Sequence, residues 1–148
     1  MDNAKIEAVL AQLGRPRRVN RPHRHFDGDY VEAPTGRVAY TAEGFGPTVL
    51  LVHGWDGSAR DMSDIALALD RAGARVISMD LPAHGFSDGE KLTAEDAAAA
   101  ILALEAKEGP FEAVIAHSFG SPSTVLALEG GLKTKAVILF APPLRQID

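Results

Sequence analysis

Four short apolar runs, each about one strand long and each bounded by turn-forming residues, restrict this chain more than any other feature. They are TVLLVHG (48–54), ARVISMD (74–80), FEAVIAH (111–117) and KAVILFA (135–141). A run of this length without polar alternation fits a strand buried on both faces, the habit of parallel sheets. Helical patterns lie between the runs. Ser58 and Asp61 have capping-box spacing, and Met62, Ile65, Ala66 and Leu69 then share one face until Gly73. Thr93 and Asp96 cap a helix expected to reach about Lys107, before Gly109-Pro110, and residues 120–129 form another, ended by Gly130-Gly131. Strands alternating with helices predict an α/β fold: a mostly parallel sheet with helices on both faces. Ahead of the runs, residues 29–43 hold two strand-like pieces broken at Pro34 to Gly36, a predicted hairpin.

The N-terminus is organised differently. Ile6, Val9, Leu10 and Leu13 recur at helical spacing until Gly14 and Pro16, so a first helix is expected, docked by that stripe on a surface. Five arginines and no acid follow between residues 15 and 25; the whole chain carries −5 and this segment +5, so the remainder carries −10. A solvated linker balancing an acidic body accounts for this segment, and no aromatic interleaving supports nucleic-acid binding. Residues 1–28 are therefore set apart as helix and linker. At 148 residues and 46 % hydrophobic content, one soluble domain is expected. The absence of cysteine excludes disulfides, thiol nucleophiles and cysteine-ligated metals. No secretory signal or apolar span stands out, which makes a cytoplasmic protein without membrane contact the expectation.

In a sheet of this kind chemistry gathers at the carboxyl ends of the strands. Three loops stand there: His53 to Gly57, Asp80 to Asp88, and His117 to Gly120. Ser118 lies between a buried strand and a helix, with Ala116 and Gly120 two residues away on either side. A sharp strand-to-helix turn that lifts a hydroxyl above the sheet requires small neighbours at those positions.

These loops, in this order and spacing, resemble the α/β-hydrolase fold superfamily, and the resemblance extends over almost the whole chain, with 29–148 as a partial α/β-hydrolase domain. It implies that Ser118 is the nucleophile and that the backbone amides of Trp55 and Phe119 form the oxyanion hole. His53, Gly54, Ala116, His117 and Gly120 would support the elbow and the facing loop, and DLPAHGFSDG would be an architectural turn. Serine at the elbow, where the related dehalogenases and epoxide hydrolases use aspartate, implies an ester or related acyl substrate and an acyl-enzyme, with no cofactor and no metal.

The family continues past the sixth strand with loops carrying an acid and a histidine, so this sequence is read as truncated there, with those two triad members absent. Of the histidines present, His117 adjoins Ser118 but should point away from it. His53 and His84 are geometrically possible bases at architectural positions, and His23 and His25 are expected in solvent. Asp80 is expected to fix its own turn, and Asp148 has no histidine after it. A non-catalytic binding scaffold or an inactive fragment is the alternative. No Gly-x-x-x-x-Gly-Lys occurs, Gly44-Phe-Gly-Pro47 precedes a strand instead of a helix, and the histidines lack paired helical spacing. An uncovered sixth strand would leave an apolar edge, from which self-association is predicted.

Overall fold

The computed structural model describes residues 2–17 and 25–143. A helix, α1 (Asn3–Leu13), precedes a hairpin of β1 (Asp29–Ala33) and β2 (Gly36–Glu43). Then follow β3 (Thr48–Val52), a 3-10 turn (Ala59–Met62), α2 (Ser63–Arg71), β4 (Arg75–Met79), α3 (Ala94–Glu108), β5 (Phe111–His117), α4 (Gly120–Glu129) and β6 (Thr134–Phe140). The six strands form one sheet in the order β1-β2-β4-β3-β5-β6. β1 pairs antiparallel with β2 and β2 antiparallel with β4, while β4, β3, β5 and β6 run parallel. This is the expected α/β architecture.

Period-two alternation explains how one apolar run serves two faces. Along β3, Val49 and Leu51 point to one side, where they cluster with Met62, Val76 and Ile115 beneath α2. Leu50 and Val52 point to the other, packing with Ile77, Met79, Val114 and the Ala97, Ala100, Ile101 and Leu104 stripe of α3. Small residues on α3 and α4, including Ala127, let the two helices sit together on that face. At the sheet's far edge β6 pairs only with β5, and Ile138 and Leu139, on opposite faces, are 54 % and 36 % exposed.

Two expectations change. α1 forms, with the Asp2 carboxylate accepting from the Lys5 amide, but none of its residues is buried, so the predicted docking of its apolar stripe is not observed. The apolar spacing had specified the stripe without specifying a surface to receive it. The helix after β3 also begins later than the capping spacing suggests. Asp61 accepts from the Ser58 amide at 3.0 Å, as the capping-box spacing predicts, but the first turn is 3-10. That turn is set by a distant tie, the Ala59 amide donating to Asp80 Oδ1 at 2.8 Å. Of the arginine-rich linker, residues 18–24, and with them His23, lie outside the described residues, as do Asp148 and its four predecessors.

A clamp that local sequence does not announce closes the amino end of the sheet. The Tyr40 hydroxyl donates to Glu108 Oε1 at 2.7 Å, and the Arg75 guanidinium donates to Glu108 Oε2, linking β2, β4 and the end of α3. Hydrogen bonds from Tyr40 and then Arg75 hold the Glu108 carboxyl below its ordinary value, while burial and the Glu108 bond raise the Tyr40 phenol above 10. Glu108→Gln should cost about 2 kcal/mol in urea denaturation at pH 7, since a charged acceptor shared by two donors is lost. Because Glu108 titrates lower in the folded state, its contribution exists above its unfolded value of 4.5 and fades as pH falls through the folded value. The gap between wild type and variant should therefore narrow in acid; a gap independent of pH would refute the assignment.

Candidate functional site

β3 is flanked by β4 on one side and β5 on the other, so successive crossovers leave in opposite directions and open a crevice at the carboxyl ends of β3 and β5. The loops after these two strands meet there. Ser118 follows the last residue of β5 with φ at +49°, a left-handed conformation that a residue with a side chain adopts at a cost. Hydrogen bonds on both sides hold it: its amide donates to the Phe140 carbonyl on β6 at 3.1 Å, and its carbonyl accepts from the Ser121 amide at 2.9 Å. Ser118 is half-buried, not enclosed in the core.

The small residues around the turn have specific reasons. A Cβ on Gly120 would lie 2.8 Å from both the Val52 and His53 carbonyl oxygens, so α4 can begin this close to β3 only with glycine. A Cβ on Gly54 would lie 3.2 Å from Ser118 Cβ and 3.3 Å from His117 Nδ1, which places the loop after β3 directly against the serine turn. Ala116 is fully buried on the α3 and α4 face. Trp55 and Phe119 meet edge to face at 5.1 Å, and neither backbone amide donates a hydrogen bond to another described residue. Both donors remain open beside the N-terminal end of α4.

The loop carrying Trp55 is braced from the loop after β4. His53 is wholly buried; its Nδ1 donates to the Gly54 carbonyl at 2.7 Å and its Nε2 accepts from the Leu81 amide at 2.9 Å. Burial lowers its pKa to about 4. His84, also buried, has the same pattern: Nδ1 donates to the Pro82 carbonyl at 2.9 Å and Nε2 accepts from the Asp56 amide at 3.0 Å. Each ring thus has both nitrogens committed to backbone, which fixes the tautomer and leaves no lone pair for a serine proton. The Asp80 carboxylate accepts from the Ala59 and Phe86 amides, as expected for a turn-fixing acid. His117 stacks on Phe140 at 4.7 Å and has no hydrogen bond to Ser118. The His25 side chain is 89 % exposed.

Two contributors escaped sequence reasoning. Asp56, with φ at +61°, donates its amide to His84 and accepts the Arg17 amide at 2.6 Å, tying the N-terminal segment to the loop. Ser87, fully buried, accepts from the Ala39 amide and donates to the Asp80 carbonyl. All but one of the partners lie 28 to 48 positions away, the exception being Asp80, seven residues before Ser87, so only the positive-φ tendency of Asp56 before Gly57 could have hinted at either. Among the described residues no three His, Asp or Glu side chains gather as a metal site would require, and no helix is long and apolar enough to cross a membrane.

With this geometry in view, residues 49–148 match the model of the alpha/beta hydrolase family, and the chain belongs to that family. No curated protein matches the sequence. Solved structures do. An esterase from Pyrococcus furiosus, Pf2001, superposes with a TM-score of 0.73 at 20 % identity, over 87 % of this chain and 58 % of that one. The esterase EaEST from Exiguobacterium antarcticum gives 0.72 at 20 % identity, over 78 % and 45 %. An epoxide hydrolase from an endophytic Streptomyces gives 0.68 at 28 % identity, over 80 % and 38 %. The chain thus spans roughly half of these relatives' length or less.

Proposed function

We propose that this chain is the nucleophile-bearing part of a serine α/β-hydrolase acting on an ester or related small acyl substrate. The observation that carries the reading is the left-handed Ser118 at the β5–α4 junction, pressed against Gly54, with the Trp55 and Phe119 amides open beside it. Ser118 Oγ attacks the substrate carbonyl carbon while its proton passes to a base. The negative charge on the carbonyl oxygen is held by the two amides, each worth roughly 3 kcal/mol in comparable sites. Breaking the bond to the alkoxide, which leaves with the proton from the base, gives the acyl-enzyme, and water then releases the acid. A serine at this position fits attack by an ionisable hydroxyl with proton transfer, where a carboxylate nucleophile would need none. The base and its orienting acid are assigned to polypeptide beyond the described residues, because His53 and His84 are committed to backbone and the His117 ring, stacked on Phe140, makes no hydrogen bond to Ser118. The exposed edge of β6 is where a further strand would add.

The test supplies the missing base from solution. Treated with a fluorophosphonate, the chain should be labelled slowly, at Ser118 alone by peptide mapping, with a rate that climbs with added imidazole and vanishes in Ser118→Ala. The competing scaffold reading, favoured by the absence of any histidine hydrogen-bonded to Ser118 among the described residues, expects no labelling at any imidazole concentration. Labelling spread evenly over exposed serines would also defeat the proposal.

A further inference from the structure

Two apolar surfaces of this chain find no counterpart among the described residues, and their lengths agree. One is α1, whose Ile6, Val9, Leu10 and Leu13 are between 40 and 68 % exposed. The other is a cleft of about 390 Å³ on the α2 side of the sheet. Val76, Ala66, Leu67 and Phe86 are among its apolar lining residues, and Glu43 and Asp70 among its acidic ones. α2 borders the cleft from Ser63 to Asp70, a rise of about 10 Å, and the apolar stripe from Ile6 to Leu13 has the same rise. An i, i+3, i+4, i+7 stripe is the form in which a helix enters an apolar groove. Charge agrees: the lining carries Glu43, Asp70 and Asp80 against Arg60, neither Glu43 nor Asp70 has an ion pair among the described residues, and α1 is followed by Arg15, which lies 3.8 Å from Glu90, and Arg17.

The helix does not reach the cleft of its own chain. The Gly14 carbonyl accepts from the Leu92 amide at 3.0 Å, and Leu92 packs into the cluster on the α3 and α4 face, opposite the cleft. The Arg17 amide is held by Asp56 above the carboxyl edge of the sheet. With both ties in place α1 joins the body on the face opposite its own groove, and none of its residues is buried there. We propose that α1 of one copy lays its apolar stripe in the α2–β2 cleft of a second copy, and that the exchange is reciprocal, so the contact closes as a two-fold dimer instead of propagating.

Because the chain has no cysteine, single cysteines report this contact cleanly. Leu10→Cys and Leu67→Cys chains, mixed under mild oxidation, should form a mixed disulfide in preference to either homodimer. Leu10→Cys mixed with Ile138→Cys, on the β6 edge, should not couple. In sedimentation the unmodified chain should be a dimer, and Leu10→Asp should weaken association at least about tenfold. Its melting as a monomer should be unchanged, since Leu10 is exposed within its own chain. Preferential Leu10–Leu10 or Leu10–Ile138 coupling, a monomer at all concentrations, or a Leu10→Cys/Leu67→Cys double variant that closes only within one chain would each overturn the proposal.

Discussion

Lowering the pH from about 6.5 to 4 should remove about 3 kcal/mol of stability from this fold through one residue, His53. The imidazole is wholly buried, and burial brings its pKa from 6.5 down to about 4. The neutral ring donates to Gly54 and accepts from Leu81, whereas a second ring proton would face the Leu81 amide, donor against donor. The sign follows directly. The unfolded chain takes up a proton near 6.5 and the folded chain resists until about 4, so the contribution is complete above 6.5 and declines through that interval. Urea denaturation in half-unit pH steps should show a slope approaching 1.4 kcal/mol per pH unit below 6, over the carboxylate background. His53→Gln should be less stable at pH 7 but lack this slope. A wild-type midpoint that is flat between pH 6 and 4.5 would contradict the buried, doubly bonded ring.

The same residue shows what the sequence could and could not disclose. β3, β4, β5 and β6 were legible because burial on both faces demands continuous apolar runs, and TVLLV or VILF satisfies that demand locally. The serine turn was legible for a related reason: the closeness of α4 to β3 forces glycine at 120, and a forced small residue leaves a mark in the string. The roles of His53 and His84 left none. Whether a loop histidine is a base or a brace depends on which amides reach its two nitrogens, and those belong to Leu81 and Asp56, each 28 positions away. The Tyr40–Glu108–Arg75 clamp was hidden likewise, since its members come from two strands and a helix end. α1 failed in the opposite sense. Its stripe was plain, but periodicity describes a surface and not the object that covers it.

Gly120→Val should be the most damaging single change near the site, costing about 3 kcal/mol in urea denaturation and most of the imidazole-dependent labelling of Ser118. Gly120 does not adopt a positive φ, so no conformational argument protects it, and helix propensity alone would favour alanine there by up to about 1 kcal/mol. Sterics decide against substitution. A new Cβ would stand 2.8 Å from two carbonyl oxygens at the end of β3 and 3.0 Å from Val52 Cγ1. β3 cannot retreat, because it is hydrogen-bonded to β4 on one side and β5 on the other. α4 must move instead, and with it the Phe119 amide and the turn that sets Ser118 against Gly54. Gly73→Ala provides the contrast: that residue has φ at +92° with nothing within 4 Å of a Cβ, so only backbone strain of about 1 to 2 kcal/mol should result, without loss of labelling. Equal effects of the two substitutions on Ser118 labelling would show that the close approach of α4 to β3 does not hold Ser118 in place.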